Sequence, residues 1–126
     1  MTKRLPTSFH CATEFTLAVL GGKWKTVILC YLKQRPCRYS ELRKLLPRVS
    51  DKVLTERLRD LVAAGLIVHR KRGGRAGADI YALAPRGRSL HQILHHLYVW
   101  GQDNATKFQV AVGEPLRVMD RERPAP

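Results

Sequence analysis

Apolar residues recur at helical spacing through most of this chain, and the pattern changes only between residues 66 and 83, where two short strand-like runs flank a glycine-rich loop. A first helix is predicted over residues 13–20, ended by Gly21-Gly22. A second runs from residue 23 to about 33, with Trp24, Val27, Ile28, Tyr31 and Leu32 at i, i+3, i+4, i+7 and i+8. Leu29 and Cys30 lie off that face, so this helix is apolar on most sides and is expected at the centre of the fold. Pro36 ends it.

Ser40 then reads as the N-cap of a short helix over 41–46, stopped by Pro47. After the turn Pro47-Arg48-Val49-Ser50, Ser50 can cap a further helix over 51–64, with Asp51 at its positive end and Gly65 as the residue that closes it. Strands are predicted at 66–71 and 79–83, joined through Gly73-Gly74-Arg75-Ala76-Gly77 into a β-hairpin with a basic tip. Pro85 can open a last long helix whose apolar stripe is Leu90, Ile93, Leu94, Leu97, Trp100 and Gly101. Residues 1–10 read as a flexible arm, 11–112 as one domain, and 113–126, with three prolines, as a disordered tail. The fold class is mainly α with a small hairpin.

Charge gives this outline a direction. The chain carries 23 Lys and Arg against 10 Asp and Glu, a net +13, and between Lys33 and Arg75 thirteen bases face only Glu41, Asp51, Glu56 and Asp60. From Asp103 onward the signs balance, so the central third is the expected polyanion-binding surface. The longest apolar run, Val27 to Leu32, is far short of the roughly 20 residues that span a bilayer, and no apolar stretch follows Lys3 and Arg4 as a signal peptide would require. The expected setting is the cytoplasm, without a membrane partner, where three unevenly spaced cysteines stay reduced.

Two short helices joined by a tight turn and followed by a basic hairpin make a winged helix-turn-helix. On the 51–64 helix, Leu54, Leu58 and Leu61 share one face, while Lys52, Thr55, Glu56 and Arg59 project from the other with Ser50 at the tip. Arg and Lys can donate to guanine, Thr offers a hydroxyl and a methyl, and Glu can accept from cytosine. Arg57 lies near the flank and suits a phosphate or an internal ion pair. Arg70, Lys71, Arg72 and Arg75 on the wing can reach phosphates or a neighbouring minor groove. Two blander readings stand beside this one. One is a solvated amphipathic helix next to an unrelated hairpin; the other is a nucleoid-associated or RNA-binding module held by charge alone, without sequence preference.

The segment Cys11-Ala-Thr-Glu-Phe-Thr-Leu-Ala-Val-Leu-Gly-Gly-Lys-Trp24 resembles the N-terminal signature of the HxlR-type winged-helix regulators, relatives of the MarR group. The likeness continues through Arg38-Tyr39-Ser40-Glu41-Leu42, Leu46-Pro47, Leu54-Thr55-Glu56-Arg57-Leu58-Arg59, Gly65-Leu66, Tyr81-Ala-Leu83, Gly87-Arg88-Ser89-Leu90 and Trp100-Gly101. It implies a cytoplasmic bacterial homodimer, associated with the nucleoid, that binds near-palindromic double-stranded operator DNA, usually as a repressor under a small-molecule or oxidant effector. In such proteins the first and last helices form the dimer, which here corresponds to Leu17, Leu90, Leu94, Leu97 and Trp100; the alternative is that this stripe packs within one subunit. Two departures stand out: Ala12 follows the cysteine where the family commonly has Pro, and Ala84 precedes the last helix where Thr commonly caps it.

Some members of the family sense oxidants or electrophiles through the cysteine that Cys11 matches. Cys11 also opens a helix beside His10, where partial positive charge favours a thiolate; the alternative is a structural thiol. Cys37, between Arg35 and Arg38, is a second site where a thiolate is expected to be favoured, and Cys30 reads as filling in an apolar helix. His91 and His95 are one helical turn apart but lack a third ligand, so no metal or cofactor is expected. No catalytic constellation or nucleotide-binding motif is present, which points away from an enzyme.

Overall fold

Residues 5–71 and 79–113, the part described in the computed structural model, form six helices and three short strands. Helix α1 (Ala12–Leu20) ends at Gly21, and the chain turns through Gly22 at φ +103°. Trp24 follows at φ +82°, a left-handed conformation that costs a bulky residue about 1–3 kcal/mol unless the surroundings enforce it. Its half-buried side chain packs against the core, and its carbonyl accepts the first helical bond from the Ile28 N–H at 2.9 Å. Helix α2 (Lys25–Gln34) therefore starts two residues after the predicted position. Ile28 and Leu29 are fully buried and Tyr31 and Leu32 nearly so, the central placement that its all-round apolar pattern predicts.

Strand β1 (Cys37–Arg38) leads directly into helix α3 (Tyr39–Leu45). Ser40 is thus inside the helix rather than its cap; the first turn is closed instead by Glu41, whose carboxylate accepts the Arg38 backbone N–H at 3.1 Å. Helix α4 (Asp51–Ala63) does begin as the sequence predicts, with Ser50 Oγ accepting the Val53 N–H at 3.2 Å. Gly65, at φ +74°, closes it: its own N–H reaches the Val62 carbonyl and the Leu66 N–H reaches that of Leu61.

Strands β2 (Ile67–Arg70) and β3 (Ile80–Leu83) form the antiparallel wing hairpin, with Ile67 opposite Leu83 and Arg70 opposite Ile80. β1 joins the far edge of β3, Cys37 opposite Tyr81, giving the order β1-β3-β2. The winged helix-turn-helix is therefore present, with a third strand that two residues are too short to announce by alternation.

The predicted long final helix is two. Helix α5 (Pro85–Arg88) is a single turn and helix α6 (His91–Ala105) follows after a break at Ser89-Leu90. Ala84, at the N-cap of α5, supplies no side-chain bond. α5 is held by its docking: Gly87 lies against the Leu66 carbonyl, and Arg86 donates to the Ala64 carbonyl at 2.8 Å. α6 then takes its own direction and places Leu94 in the core, 2% exposed. Among the described residues no single helix is long and apolar enough to cross a membrane; α1 and α2 would suffice only together, and they are bent by 80°.

Gly87 is the tightest joint in this arrangement. A Cβ there would collide with the Leu66 carbonyl oxygen, which cannot easily retreat because it accepts the Ala84 N–H at 2.9 Å. Gly87→Ala is expected to destabilise the fold by about 1–3 kcal/mol, read as a lower urea midpoint at unchanged slope. An unchanged midpoint would mean that α5 is not docked on Leu66.

Candidate nucleic-acid interface

Leu54, Leu58 and Leu61 are all at most 2% exposed, so the buried face of α4 is fixed. At 100° per residue, Lys52, Thr55, Glu56 and Arg59 then form a stripe on the opposite side. Lys52, Arg59 and the capping Ser50 are exposed, Thr55 and Glu56 half-buried. This is a row of donors and acceptors on one side of a helix, an element of the width a major groove admits.

The turn before α4 is held by side chains that sequence patterning did not single out. Arg43, near the end of α3, donates to the Val49 and Leu46 carbonyls and places Nε 3.1 Å from Asp51 Oδ1. The Tyr39 hydroxyl donates to the same oxygen at 2.7 Å. Burial, with Asp51 beside it, pushes the Tyr39 hydroxyl up from its ordinary value of 10.0, so it remains a donor at neutral pH. Asp51 thus does more than complement the helix dipole: it ties α4 to α3. In sequence, Arg43 is one more base on a basic helix, and nothing marks its partners.

At the other end of α3, Arg35 lies 2.5 Å from Glu41. Burial works against the Glu41 charge, but the Arg35 guanidinium and the Arg38 backbone N–H outweigh it and hold the carboxyl below its usual range.

Of the expected DNA contacts, Arg57 makes an internal contact, and Arg72 and Arg75 lie outside the described residues. Arg57 turns inward: its Nε donates to the Lys23 carbonyl at 3.0 Å and its Nη1 lies 3.9 Å from Asp60. Of the two roles open to it in the sequence, the structure has the internal one. On the wing, Arg70 and Lys71 are exposed at the end of β2, whereas Arg72 and Arg75 lie outside the described residues. At the root of the wing the His69 ring stacks on Tyr81 at 4.3 Å, with its Nε2 3.4 Å from Asp79 Oδ1. Burial, together with Asp79 and Tyr39, pushes the Tyr81 hydroxyl up, while Arg59 opposes the shift.

The three thiols are sharply differentiated. Cys11 is exposed at the N-cap of α1, where the backbone N–H groups of Glu14 and Thr13 lower its pKa from the ordinary 9.0. Cys30 is half-buried and pushed up by that burial. Cys37 corrects the sequence expectation: it is fully buried in the sheet, and burial raises it to about 11 despite Arg35.

The expected dimer residues also divide. Leu17, Leu97 and Trp100 are 59%, 48% and 61% exposed, and Leu90 is half-buried. Leu94 has no surface to offer a partner, since it is already in the core of its own subunit. Of the N-terminal arm, residues 5–10 are described: Phe9 lies 5.3 Å from Phe15 on α1, and Leu5 lines an apolar cavity of about 560 Å³ together with Phe15, Val19 and Leu66. His91, His95 and His96 are exposed, and among the described residues no three His, Cys, Asp or Glu side chains cluster as metal ligands would.

Residues 19–109 match the family model described as HxlR-like helix-turn-helix. The chain is 40% identical over 99 residues to YtcD of Bacillus subtilis (strain 168), an HTH-type transcriptional regulator, covering 79% of each protein. It is similar to the redox regulator HypR in its reduced form, with a TM-score of 0.75 and 30% identity over 79% of this chain and 98% of that one. Quinone-bound YodB from B. subtilis aligns with a TM-score of 0.61 and 26% identity, over 72% and 96% of the two chains. Cys11 lies ahead of the stretch matched by the family model.

Because iodoacetamide attacks the thiolate, the three cysteines are expected to react in order of exposure and acidity. Near neutral pH Cys11 should be modified first, with a rate–pH profile that inflects below the ordinary 9.0, while Cys37 should stay protected until the protein unfolds. Peptide mass mapping reads both; equal labelling of Cys11 and Cys37 in the folded protein would contradict their placement.

Proposed function

The chain belongs to the HxlR-like helix-turn-helix family, whose members are DNA-binding transcriptional regulators rather than enzymes, and from that premise we propose that it acts in the cytoplasm, on nucleoid DNA, as a homodimeric, sequence-specific repressor. The observation that carries this reading is α4 itself. Its leucine face is buried, its first residue, Asp51, is tied to α3 by Tyr39 and Arg43, and its polar stripe lies on the opposite side. Ser50, Lys52, Thr55, Glu56 and Arg59 are the base-reading set, with Arg70 and Lys71 on phosphates beside them.

Dimerisation is supported by the large apolar side chains that one subunit leaves in water on α1 and α6, Leu17, Leu97 and Trp100 foremost. Joined about a twofold axis through these helices, two copies would present their α4 helices to successive major grooves of a near-palindromic operator, with half-sites about one helical turn apart. Regulation is proposed at Cys11: an exposed thiol of lowered pKa at the start of a dimerising helix, in a chain whose solved relatives include one named a redox regulator and one bound to a quinone. Modification there would shift α1 and with it the spacing of the two α4 helices. Even a small misalignment would weaken several base contacts of about 1–3 kcal/mol each.

Footprinting at about 150 mM salt, where nonspecific contacts weaken, tests the core of this reading on the DNA upstream of the protein's own gene and on an operator selected from random duplexes. A bounded, twofold-symmetric site is expected; uniform protection of every sequence would favour a binder held by charge alone. On that site Arg59→Ala should cost about 1–3 kcal/mol and relax sequence preference, whereas Lys71→Ala should weaken all DNA alike and shallow the salt dependence. Equal losses on all sequences for both would overturn the division of labour. Diamide is expected to release the wild type from its site and to leave Cys11→Ser bound; equal release of the two would remove Cys11 as the sensor.

A further inference from the structure

We infer that Arg57 is a positioning residue for DNA recognition: without touching DNA, it holds α4 against the strained joint between α1 and α2 through the Lys23 carbonyl. The inference rests on α4 being the recognition helix. It begins with direction. At 100° per residue Arg57 lies about 60° from Leu54 and about 40° from Leu61, on the buried side, and roughly 160° from Arg59. A side chain so placed cannot share the groove with the Lys52–Arg59 stripe.

What Arg57 does reach is the joint. Its Nε donates to the carbonyl of Lys23, 34 residues away in sequence, at 3.0 Å, and Asp60, one turn along α4, holds the other end of the guanidinium at 3.9 Å. The accepting carbonyl sits between the two residues that bend the backbone into the left-handed region, Gly22 at φ +103° and Trp24 at φ +82°. A tryptophan keeps that conformation only where several contacts impose it. Here these are the packing of its ring on the core, the Lys23 ammonium 5.0 Å from the ring centroid, and the Arg57 bond. α4 is therefore fixed at both ends of its working length: by Tyr39 and Arg43 at Asp51, and by Arg57 at the loop that ends α1. The orientation of the reading stripe is set relative to α1, and a displacement of α1 passes to α4 through this bond.

Arg57→Ala and Arg57→Lys separate positioning from a phosphate contact, with circular dichroism confirming that each is folded. The probes are an operator selected by the wild type from random duplexes and a scrambled duplex of equal length. Positioning predicts that both variants lose about tenfold on the operator, stay within twofold of wild type on scrambled DNA, and keep the wild-type salt slope. Arg57→Lys retains the charge but not the guanidinium geometry, so it should follow Arg57→Ala. Equal loss on both duplexes with the slope reduced by about one, or recovery by Arg57→Lys, would make Arg57 a phosphate contact; wild-type behaviour of both would make it a bystander.

Should the wild type select no sequence, specific recognition fails as a function, and the clamp is still decided without DNA. The Ile28 amide, bonded to the Trp24 carbonyl, should exchange at least tenfold faster in both variants while the Leu58 amide is unchanged. Unaltered exchange at Ile28 would overturn the clamp.

Discussion

The burial of the α4 leucines is the constraint on which the rest depends. Leu54, Leu58 and Leu61 pack on the same core as Ile28 and Leu29 of α2, and each is essentially inaccessible to water. Truncating such a leucine to alanine costs about 2–5 kcal/mol, a large part of the stability of a domain this size. Helical periodicity then leaves no choice about what faces out: with 54, 58 and 61 inside, 52, 55, 56 and 59 must be outside. A rotation of α4 by one residue would bury Thr55 and Arg59, or Arg57 and Asp60, and expose the leucines, so the same energy that folds the domain also aims its polar stripe. The Ser50 cap, the Asp51 clamp and the Gly65 stop only define where that rigid segment begins and ends.

The carboxylates of the basic central region are distributed to the same purpose. Glu41 is held by Arg35 and the Arg38 N–H, Asp51 by Tyr39 and Arg43, and Asp60 lies beside Arg57. Each lies against a base in an intramolecular contact, and among the described residues the bases on the outward side of α4 and on the wing have no acidic partner. Glu56 differs. Among the described residues it makes no ion pair, and it stands in the outward polar stripe, where a lone acid on a basic surface can accept a hydrogen bond from cytosine but repels phosphate. A surface evolved only for nonspecific attraction has no use for it. The net +13 charge repels itself in the free protein, and binding a polyanion relieves that repulsion, which adds to the stability of the bound state.

Local chemistry made much of this legible in the sequence. Ser50 and Gly65 bracket α4 as residue types that cap and stop helices, the 54–58–61 spacing gives its buried face, and the family resemblance orders the elements. Contacts that override a residue's usual local role were not legible. Ser40 reads as a cap because serine caps helices, but the Arg38 N–H finds Glu41 and the helix starts earlier. The final helix looks continuous because its stripe is periodic; it breaks because Gly87 is pressed against Leu66, twenty-one residues upstream, and Leu94 falls inside for the same reason. Cys37 has arginines for sequence neighbours, yet its pairing position opposite Tyr81 buries it, and desolvation outweighs a nearby charge. The partner of Arg57 is a backbone carbonyl, which has no side-chain identity to read.

These contacts leave α1 weakly held. Nine residues are too few for a helix to be stable alone in water, where about 12–15 are needed. Only Leu20 of α1 is fully buried, with Val19 packed partly beside it, while Phe15 and Leu17 are 47% and 59% exposed. Such an element takes its position from whatever covers its exposed face, and it can shift without disrupting the core. The core helices, by contrast, would have to surrender buried leucines to move at all. A regulator that must change its DNA geometry at small energetic cost is served best by coupling that geometry to the weakly held helix. In this chain the acidified thiol stands at one end of that helix and the Arg57 bond begins just past the other.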